Sequence, residues 1–598
     1  MTLSATALSY LTVGPTLVNG LGGIEGFGEQ TLARNDDGSS AAIDITGVFG
    51  AGGLNFFGTG YTSLYVNNNG NLTFAASSST FTPSGIGAGL GNPIIAAFWA
   101  DVDTLGGVGT ATAGGNSTGA NLVHYDLDAA NGAFTATWND VGYYDASIDK
   151  LNAFQIQLLD EGNGDFDIVL RYEALNWTTG DASGGSNGLG GLPARAGYSA
   201  GDGLNAVELA ESGDQAAMLA LPSTLGNAGL NGLWVYHVMT AAAGDSSITG
   251  SSGDDIVSGS SGANSMLGAG GADDLRGLDG DDLLLGGTDK DTLSGGLGDD
   301  TLSGGMNEDV LYGGQGNDLY FCNTGRDQVI ELAGEGTDTV VAFASFTLPD
   351  EVEVLQLADG HGPLYGIGNT LDNVLLGNES ANVLLGGNGA DSIVGGDGDD
   401  VLWGQAGNDT LVGGDGANRL RGGAHDDTYI VTSAADMVLE APGEGDDTVI
   451  ATLPGGAGNA YFMRANIETL IFAGSADNRA QGNGGDNAIT GNAGANLLLG
   501  GAGADTLTGG AGDDVLWGQA DADVFAFQTG DGADQVSDFT RGSDRILLIG
   551  TSLATFGDVQ TALSDTANGV VLTIGAGDTV LLRGVTIAAL SAGDFAFA

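Results

Sequence analysis

The feature that most constrains the fold of this chain is a nine-residue period that begins near residue 250. From Asp255 to Asp318 an acidic or amide residue returns at every ninth position, and an apolar or aromatic residue follows each one two positions later. Glycines precede each acid, as between Gly295 and Ser303, so one unit has the form G-G-x-G-x-D-x-U-x, where U is a large apolar residue. A strict period of this length predicts a stack of short coils, in which each repeat packs on its neighbours.

The residue types of this unit suit calcium, which binds about 6–8 carboxylate and carbonyl oxygens in flexible geometry. Glycine permits the positive φ that turns carbonyls inward. Two units make one coil, so loops on one side stack every 18 residues and one ion bridges two loops. The aspartates could instead only form turns, but 20 units in strict register favour calcium. The predicted ligands are Asp255, Asp273, Asp282, Asp291, Asp300, Asp309, Asp318, Asp391, Asp400, Asp409, Asp427, Asp505, Asp514 and Asp523.

The repeats fall into three blocks, which are separated by glycine-poor spacers. The two spacers resemble each other, because residues 327–331 match residues 436–440 at an offset of 109. The second half of the chain is therefore a duplicated array, and we expect the spacers to continue the solenoid as irregular strands. The predicted segments are a lead at 1–24, an N-terminal domain at 25–242, repeat blocks at 243–322, 367–431 and 482–527, spacers at 323–366 and 432–481, and a C-terminal segment at 528–598.

Departures from the repeat limit the number of ions. Blocks of eight, seven and five units predict about 14 sites at most, and about a dozen calcium ions once the departures are considered. Residues that replace the fourth-position glycine predict distorted loops, and among them are Asp289, Asn307, His425 and Asp521. Amides that replace the acid predict weak or missing ions, mostly at block starts, and these are Asn264, Asn373, Asn382, Asn418, Asn487 and Asn496.

The repeat unit is identified as the calcium-binding nonapeptide of RTX proteins, and this resemblance covers all three blocks. The C-terminal segment resembles the same region of serralysin-type secreted proteins at 523–527, 535–539 and 544–548. In that family the end of the chain acts as an uncleaved signal for a type I secretion exporter. The resemblance therefore implies a secreted protein with a parallel β-roll that holds calcium between its stacked turns. A short helix is predicted at 553–563.

The N-terminal domain lacks the nine-residue period, and its short alternating apolar runs indicate a mainly antiparallel β domain. Helix-like composition is confined to 205–221 in this half. The domain resembles the nidogen-like (NIDO) extracellular domain through residues 35–40, 64–74, 98–103, 152–155 and 232–236. This resemblance implies an all-β, sandwich-like module from matrix or adhesion contexts, without known chemistry of its own. A matrix, glycan or cell-surface ligand is the partner it implies.

Composition excludes several function classes. The chain has 76 acids against 14 bases and a formal net charge of −62, and a nucleic-acid backbone would repel it. A single cysteine, Cys322, precludes an intrachain disulfide. No apolar run is long enough for a transmembrane segment. The absence of a basic residue before Arg34 predicts that no N-terminal secretory signal is present.

The sequence offers little for catalysis. No H-E-x-x-H motif occurs, and the four histidines lie in unrelated contexts, which argues against a zinc protease. The pattern G-x-S-x-G occurs around Ser117, Ser186 and Ser199, but chance matches are frequent in a glycine-rich chain. Asp101 and Asp103 are either a separate cation site or polar residues that end a strand. The aromatic residues predicted to lie in the core, rather than to form a ligand platform, are Tyr65, Trp99, Trp138 and Trp177.

Together these patterns predict a secreted RTX protein that calcium folds outside the cell. Its expected role is adhesion, biofilm or matrix formation, or a cell-surface layer, and self-assembly is left open. We predict that the chain is not an enzyme. The alternative is a secreted enzyme or toxin with an unrecognised active site in the N-terminal domain.

Overall fold

The chain forms two compact units, Met1–Asp318 and Leu319–Ala598. The computed structural model describes residues 16–23, 25–83, 85–86, 91–180, 183–201, 206–240, 246–454 and 460–598, without the side chain of Val207. These residues are mostly β with 5% helix, which confirms the all-β prediction. The predicted lead at 1–24 lies largely outside the described residues, and the predicted start of the first repeat block at 243 lies outside them.

The first unit begins with two antiparallel sheets, as the alternating apolar runs predict. Strand Ala133–Tyr143 is buried along its whole length, so its side chains are buried on both faces of the sheet. One sheet has the order Gln30–Thr31, Leu122–Asp128, Ala133–Tyr143, Ser147–Gly162, Asp165–Ala174 and Leu233–Thr240, with Val102–Asp103 beside Ala133–Tyr143. The other has the order Ala206–Glu208, Arg195–Ser199, Ile94–Trp99, Asn71–Thr73, Ser63–Asn67 and Ile43–Asp44.

Buried side chains from both sheets form one apolar core, which is the sandwich-like arrangement that the sequence predicts. Trp138 stacks on Phe154 with ring centroids 5.0 Å apart, and Phe98 meets Trp177 edge-on at 5.4 Å. The three predicted core tryptophans are buried, whereas Tyr65 is half-buried. The smaller elements are hairpins Leu54–Phe56 with Thr59–Tyr61 and Gly185–Ser186 with Leu189–Gly190, α-helices Thr46–Phe49 and Gln215–Ala220, and the 3-10 turn Leu221–Ser223.

The N-terminal domain passes directly into the repeats through a shared sheet. Strand Leu233–Thr240 pairs in parallel with Asp255–Ser258, with His237 opposite Asp255. Leu275 then lies opposite Leu293, so two nine-residue units make one coil. The repeat strands of the first unit form one row of Asp255–Ser258, Asp274–Asp279, Thr292–Leu297 and Val310–Gln315, and a second row of Ser247–Thr249, Ser265–Gly270, Leu283–Thr288 and Thr301–Gly305.

The repeat core is about one side chain wide, because the apolar residue at the eighth position of each unit points between the two rows. Leu284, Leu293 and Leu302 are fully buried, while the residues beside them in the strands are half-exposed. Burial of such a leucine contributes about 1.5–3 kcal/mol. Burial therefore alternates every two residues within a strand, and the unit repeats every nine residues along the chain. Together these two periods produce the predicted parallel β-roll.

The second unit has the same plan, and its spacers supply parallel strands. Thr339–Ala342 pairs with Val354–Leu357, which confirms that the first spacer continues the solenoid. One row comprises Leu319–Cys322, Thr339–Ala342, Val354–Leu357, Val374–Leu376, Ser392–Val394, Thr410–Val412, Thr428–Val431, Thr448–Ala451, Thr469–Phe472, Ala488–Thr490, Thr506–Thr508, Val524–Gln528, Arg545–Ile549 and Phe595–Phe597.

The opposite face of this unit comprises two shorter sheets. The first contains Phe346–Thr347, Tyr365–Ile367, Val383–Asn388, Val401–Ala406, Arg419–Ala424 and Met437–Val438. The second has the order Ala460–Phe462, Arg479–Gln481, Leu497–Gly501, Val515–Gln519, Ala533–Val536, Thr579–Arg583, Gly569–Thr573 and Leu563–Thr566. The remaining strand of the unit is Gln328–Ile330.

The C-terminal segment ends both faces of the second unit. Thr579–Arg583 pairs in parallel with Ala533–Val536, and Phe595–Phe597 pairs in parallel with Arg545–Ile549. The predicted helix is confirmed at Phe556–Ala562, where Thr555 supplies a capping box, and 3-10 turns lie at Ile587–Ala589 and Ala592–Asp594. Across the described part of the chain, the structure contains no helix both long and apolar enough to cross a membrane.

Candidate metal centre

The repeat loops turn through backbone conformations that favour glycine. Gly296 and Gly298, at the second and fourth positions of one unit, have φ values of 119° and 128°. Four of the non-glycine residues at the fourth position adopt the same left-handed region, with φ of 76° at Asp289, 82° at Asn307, 86° at His425 and 81° at Asp521. The predicted distortion is therefore wrong for these four turns. Their side chains are exposed, and hydrogen bonds to the neighbouring coil hold the backbone, such as Met306 N–H to the Gly287 carbonyl at 2.8 Å.

All fourteen predicted aspartates are buried, with at most 3% of each residue exposed. One carboxylate oxygen usually accepts a hydrogen bond from the neighbouring coil. The backbone N–H of Asp273, for example, donates to Oδ1 of Asp291 at 2.9 Å, and that of Asp291 donates to Oδ1 of Asp309 at 2.9 Å. Asp255 differs, because its carboxylate accepts from the N–H and the hydroxyl of Ser251 in its own loop.

This ladder of hydrogen bonds divides the aspartates into rows. In the first unit one row is Asp255, Asp273, Asp291 and Asp309, and the other is Asp282, Asp300 and Asp318. In the second unit the rows are Asp391, Asp409 and Asp427, then Asp400 with Asn418, Asp505 with Asp523, and Asp514 with Asn496. Each row therefore lies along one side of the solenoid.

The second carboxylate oxygen has a different environment. In ten of the predicted ligands this oxygen is buried and accepts no hydrogen bond. Because a buried carboxylate oxygen without a partner is costly, this repeated feature indicates a ligand for it. These residues are Asp273, Asp282, Asp291, Asp300, Asp391, Asp400, Asp409, Asp427, Asp505 and Asp514.

The first glycine of each unit provides the space beside that oxygen. A Cβ added at Gly286 would lie 2.3 Å from Oδ2 of Asp291 and 2.5 Å from the carbonyl oxygen of Gly304, one coil further along. At Gly395 the corresponding distances are 2.4 Å to Oδ2 of Asp400 and 2.6 Å to a carbonyl oxygen. Calcium–oxygen distances are about 2.3–2.6 Å. The cradle offers oxygen ligands alone at a suitable spacing, so the residues present fit calcium.

Burial of these carboxylates favours their protonated form when no cation is present. Burial, together with neighbouring aspartates of the same row, raises the pKa of Asp273 to about 9 and that of Asp291 to about 8. A bound divalent cation favours the ionised form instead. Burial also raises the pKa to about 7 for Asp300, Asp391, Asp427 and Asp505, and to about 6 for Asp282, Asp400, Asp409, Asp514 and Asp523.

Two known families match parts of this chain. The nidogen-like domain matches residues 62–240. The RTX calcium-binding nonapeptide repeat matches 238–266, 249–284, 267–302, 285–320, 367–402, 403–438, 472–507 and 499–536. The chain therefore contains a nidogen-like domain at 62–240, followed by RTX repeats. RTX repeats imply calcium binding.

Relatives of the nidogen-like domain are much longer proteins. Mouse alpha-tectorin is 35% identical over 218 residues, which cover 34% of this chain and 10% of alpha-tectorin. The nidogen of Drosophila melanogaster is 32% identical over 205 residues, which cover 31% of this chain and 14% of that protein. Among solved structures, the extracellular lipase LipA of Serratia marcescens aligns with 48% of this chain and 67% of its own, at 16% identity and a TM-score of 0.20.

Asparagines at the starts of the RTX blocks replace the unpaired oxygen with an amide. Oδ1 of Asn373 accepts from the Asn369 N–H of its own loop, and its Nδ2 donates to the carbonyls of Val352 and Glu353. Asn487 repeats this arrangement with Asn483 and Ile467. An amide donor thus satisfies carbonyls of the preceding spacer, which is consistent with the expectation of weak or missing ions at block starts.

The sequence reasoning missed four further asparagines whose side chains donate to carbonyls of the preceding spacer. They occupy the second position of the first two units in the second and third blocks. The Nδ2 of Asn378, for instance, donates to the carbonyl of Ala358 at 3.0 Å. The available signal is a Gly-Asn pair where other units have Gly-Gly. These residues are Asn369, Asn378, Asn483 and Asn492.

The sequence reasoning also missed aspartates that extend the rows beyond the strict period. Oδ1 of Asp534 accepts from the Asp514 N–H at 3.0 Å, and its Oδ2 is buried without a hydrogen-bond partner. Burial raises the pKa of Asp534 to about 8. Asp447 accepts in the same way from Asp427. These residues lie 20 positions after their partners instead of 18, so a search at fixed spacing passes over them.

Proposed function

We propose that this chain is a secreted protein whose RTX repeats fold on extracellular calcium and whose nidogen-like domain acts in adhesion, in biofilm or matrix, or in a cell-surface layer. The observation that supports the calcium ligands is the row of buried oxygens, each beside a glycine cradle, as at Asp291 and Gly286. The proposed ligands are the fourteen predicted aspartates, joined by Asp447 and Asp534. About a dozen ions is the expected load.

Calcium acts in this proposal as a condition for folding. Without cations, the rows bring ionised carboxylates together at buried positions, which opposes the folded state at neutral pH. A chain made in a low-calcium cytosol would therefore stay unfolded until it reached calcium outside the cell. This order suits a type I exporter, the route typical of RTX proteins.

Export is tested by removing residues 579–598, which include the segment proposed as the secretion signal. The truncated chain is expected to stay inside the cell. Because Thr579–Arg583 also pairs with Ala533–Val536 and Gly569–Thr573 in one sheet of the second unit, a control must weaken that sheet without shortening the chain. Val580→Ala together with Leu582→Ala, both buried, serves this purpose and should still be exported. Normal export of the truncation would contradict the signal assignment.

The nidogen-like domain is the part that we expect to meet a partner. Its similarity to alpha-tectorin and nidogen supports an extracellular role, although this chain spans only about a tenth of alpha-tectorin. The test measures binding of the full chain to matrix proteins, glycans and cells in calcium, beside a chain that lacks residues 1–245. Binding that survives this removal would contradict the assignment of adhesion to the domain.

We also propose that the chain is not an enzyme, and the environment of Ser199 supports this. Ser199 is fully buried, its Oγ accepts from the Gly201 N–H at 3.0 Å, and its strand is paired on both sides. His237 hydrogen-bonds Asp167, and His124 hydrogen-bonds Thr31. Hydrolysis of a substrate panel by the full chain, lost on Ser199→Ala, would favour the enzyme alternative.

A further inference from the structure

Three carboxylates meet at one end of the nidogen-like domain, far from the RTX loops in sequence. Asp36 and Asp37 lie in the loop before strand Ile43–Asp44, and Asp101 follows strand Ile94–Trp99. One oxygen from each lies within 4.8 Å of the other two. Asp101 is 1% exposed, whereas Asp36 and Asp37 are half-buried.

The backbone of the domain holds these carboxylates together. The Asn68 N–H donates to the carbonyl of Gly38 at 2.8 Å, and the Thr104 N–H donates to the carbonyl of Asn35 at 2.9 Å. The Ala100 N–H donates to the carbonyl of Asn69 at 3.2 Å. Three segments, 35–38, 67–70 and 100–104, are therefore tied to one another by main-chain bonds. Like charges that cannot move apart are unfavourable unless a cation lies between them.

A buried amide oxygen supplies a second, independent observation. Asn68 is 1% exposed, and its Oδ1 is buried without a hydrogen-bond partner. Its Nδ2 donates to the carbonyl of Asp36 and, at 2.5 Å, to that of Val102, so the amide lies between the two segments that carry the carboxylates. A buried carbonyl-type oxygen without a donor is costly, and it is a ligand that hard cations accept.

Gly180 packs directly against Asp101. A Cβ added at Gly180 would lie 2.2 Å from Oδ2 of Asp101, so a larger residue there would occupy the position beside the carboxylate. Burial, with Asp103 and Asp37 nearby, raises the pKa of Asp36 to about 6, which reflects the same crowding of acids. Asp103 itself is engaged elsewhere, because its carboxylate accepts from the Leu105 and Ala146 N–H groups.

We propose that Asp36, Asp37 and Asp101, together with Oδ1 of Asn68, bind a calcium ion within the nidogen-like domain. The donor set consists of oxygen atoms, which excludes softer metals that prefer nitrogen or sulfur. Calcium accepts irregular oxygen geometry, whereas magnesium requires a near-octahedral arrangement. The ion would tie the three loop segments together, so this end of the domain becomes calcium-dependent in its own right, separately from the RTX rows.

Hydrogen exchange of the full chain, followed by mass spectrometry, tests this site. In calcium, amide exchange in 35–38, 67–70 and 100–104 is expected to slow by about tenfold relative to chelator. Asp101→Asn should lose this local slowing while the RTX peptides respond as before. Asp145→Asn is the matched control, because Asp145 is exposed and close in sequence to Tyr144, whose N–H bonds the Asp101 carbonyl.

The two variants separate a local ion from calcium effects that spread from the repeats. Slowing that persists in Asp101→Asn would overturn the proposal, since it would then come from the RTX half. Equal exchange with and without calcium in the wild-type loops would also overturn it. If Asp101→Asn fails to fold, Asp36→Asn in the half-buried loop replaces it. Anomalous density from crystals of the full chain grown with strontium must then show a peak between the three carboxylates, and its absence beside occupied RTX turns would refute the site.

Discussion

At the scale of the residue, the first glycine of each repeat determines whether an ion has room. The Cβ position of Gly286 is flanked by Oδ2 of Asp291 and by the Gly304 carbonyl oxygen. Gly262, also in a repeat loop, has no atom within 4 Å of its Cβ position. Neither glycine has a left-handed φ, so alanine imposes no conformational strain at either. Comparing alanine substitutions at these two glycines therefore separates the effect of filling the cradle from the effect of replacing a glycine.

We predict that Gly286→Ala in calcium lowers the free energy of unfolding of the first unit by about 1–3 kcal/mol, because the added methyl group fills the cradle. The variant should also bind about one calcium ion fewer per chain. Thermal unfolding and equilibrium dialysis measure the two effects. Gly262→Ala is the control and should change neither quantity. Equal effects of the two substitutions would contradict the assigned cradle.

The raised pKa values give calcium-free protein a definite pH dependence. Asp273 and Asp291 have folded-state pKa values of about 9 and about 8, above the ordinary value near 4. The folded state therefore binds more protons than the unfolded state between these values. Its stability is fully present below the unfolded pKa and is lost as pH rises through the folded pKa. Protons thus substitute in part for the missing cation.

Accordingly, we predict that calcium-free chain melts at a higher temperature near pH 5 than near pH 8. Differential scanning calorimetry after exhaustive removal of calcium measures this difference. Asp291→Asn should show a smaller dependence on pH, because one of the titrating groups is gone. The exposed Asp415→Asn, in a repeat loop of the second unit, should match wild type. A melting temperature that rises from pH 5 to pH 8 would contradict the account.

At the scale of the element, the strand Leu233–Thr240 joins the two folds of the first unit. It belongs to the antiparallel sheet of the nidogen-like domain and pairs in parallel with the first RTX strand of its row. Arg276 adds a side-chain contact to this junction. Its guanidinium lies 3.9 Å from the ring centroid of Phe57 and bonds the carboxylate of Asp274, with 4% of each charged side chain exposed.

Removing Arg276 is predicted to destabilise the junction strongly, because it leaves the Asp274 carboxylate buried without its cation. Arg276→Ala should lower the free energy of unfolding of the first unit in calcium by about 3 kcal/mol or more. Ser294→Ala, at the equivalent place one coil later, is the control and should have little effect. Chemical denaturation followed by tryptophan fluorescence measures both. A loss below that of Ser294→Ala would contradict the role of this ion pair.

An element could be predicted from the sequence when the residues that determine it lie close together in the chain. Asp291 and Leu293 follow from a fixed spacing, so the nine-residue period alone identifies their faces and their stacking. The contact of Arg276 with Phe57 joins residues that are distant in the chain, and no period indicates it. Asp534 lies 20 residues after Asp514, its partner in the row, so the strict period does not indicate it.

The left-handed turns show a different limit of the sequence. Asp289 and His425 replace glycine, and steric preference alone predicts a change of loop shape. The loop keeps its shape because hydrogen bonds to the coils on either side outweigh the local cost, and that energy comes from neighbours. Asn373 is similar, since its role depends on which carbonyls of the preceding spacer lie within reach.

At the scale of the whole molecule, the RTX rows make folding a property of many coils together. Each coil buries little apolar surface and depends on its neighbours, so the array gains stability as coils are added. Calcium bound to the folded state alone shifts the equilibrium with every occupied site. The nidogen-like sheet supplies a folded neighbour for the first coils of its unit. Calcium is therefore expected to act on the array cooperatively.

Circular dichroism of the full chain across a calcium titration tests the central claim most directly. The measurement is made at neutral pH, beginning in excess chelator, and it is repeated with magnesium as the control cation. We predict that β signal is low in chelator, rises cooperatively as calcium is added, and is lost again when chelator is restored. A far-ultraviolet spectrum that stays the same across the titration would contradict the account.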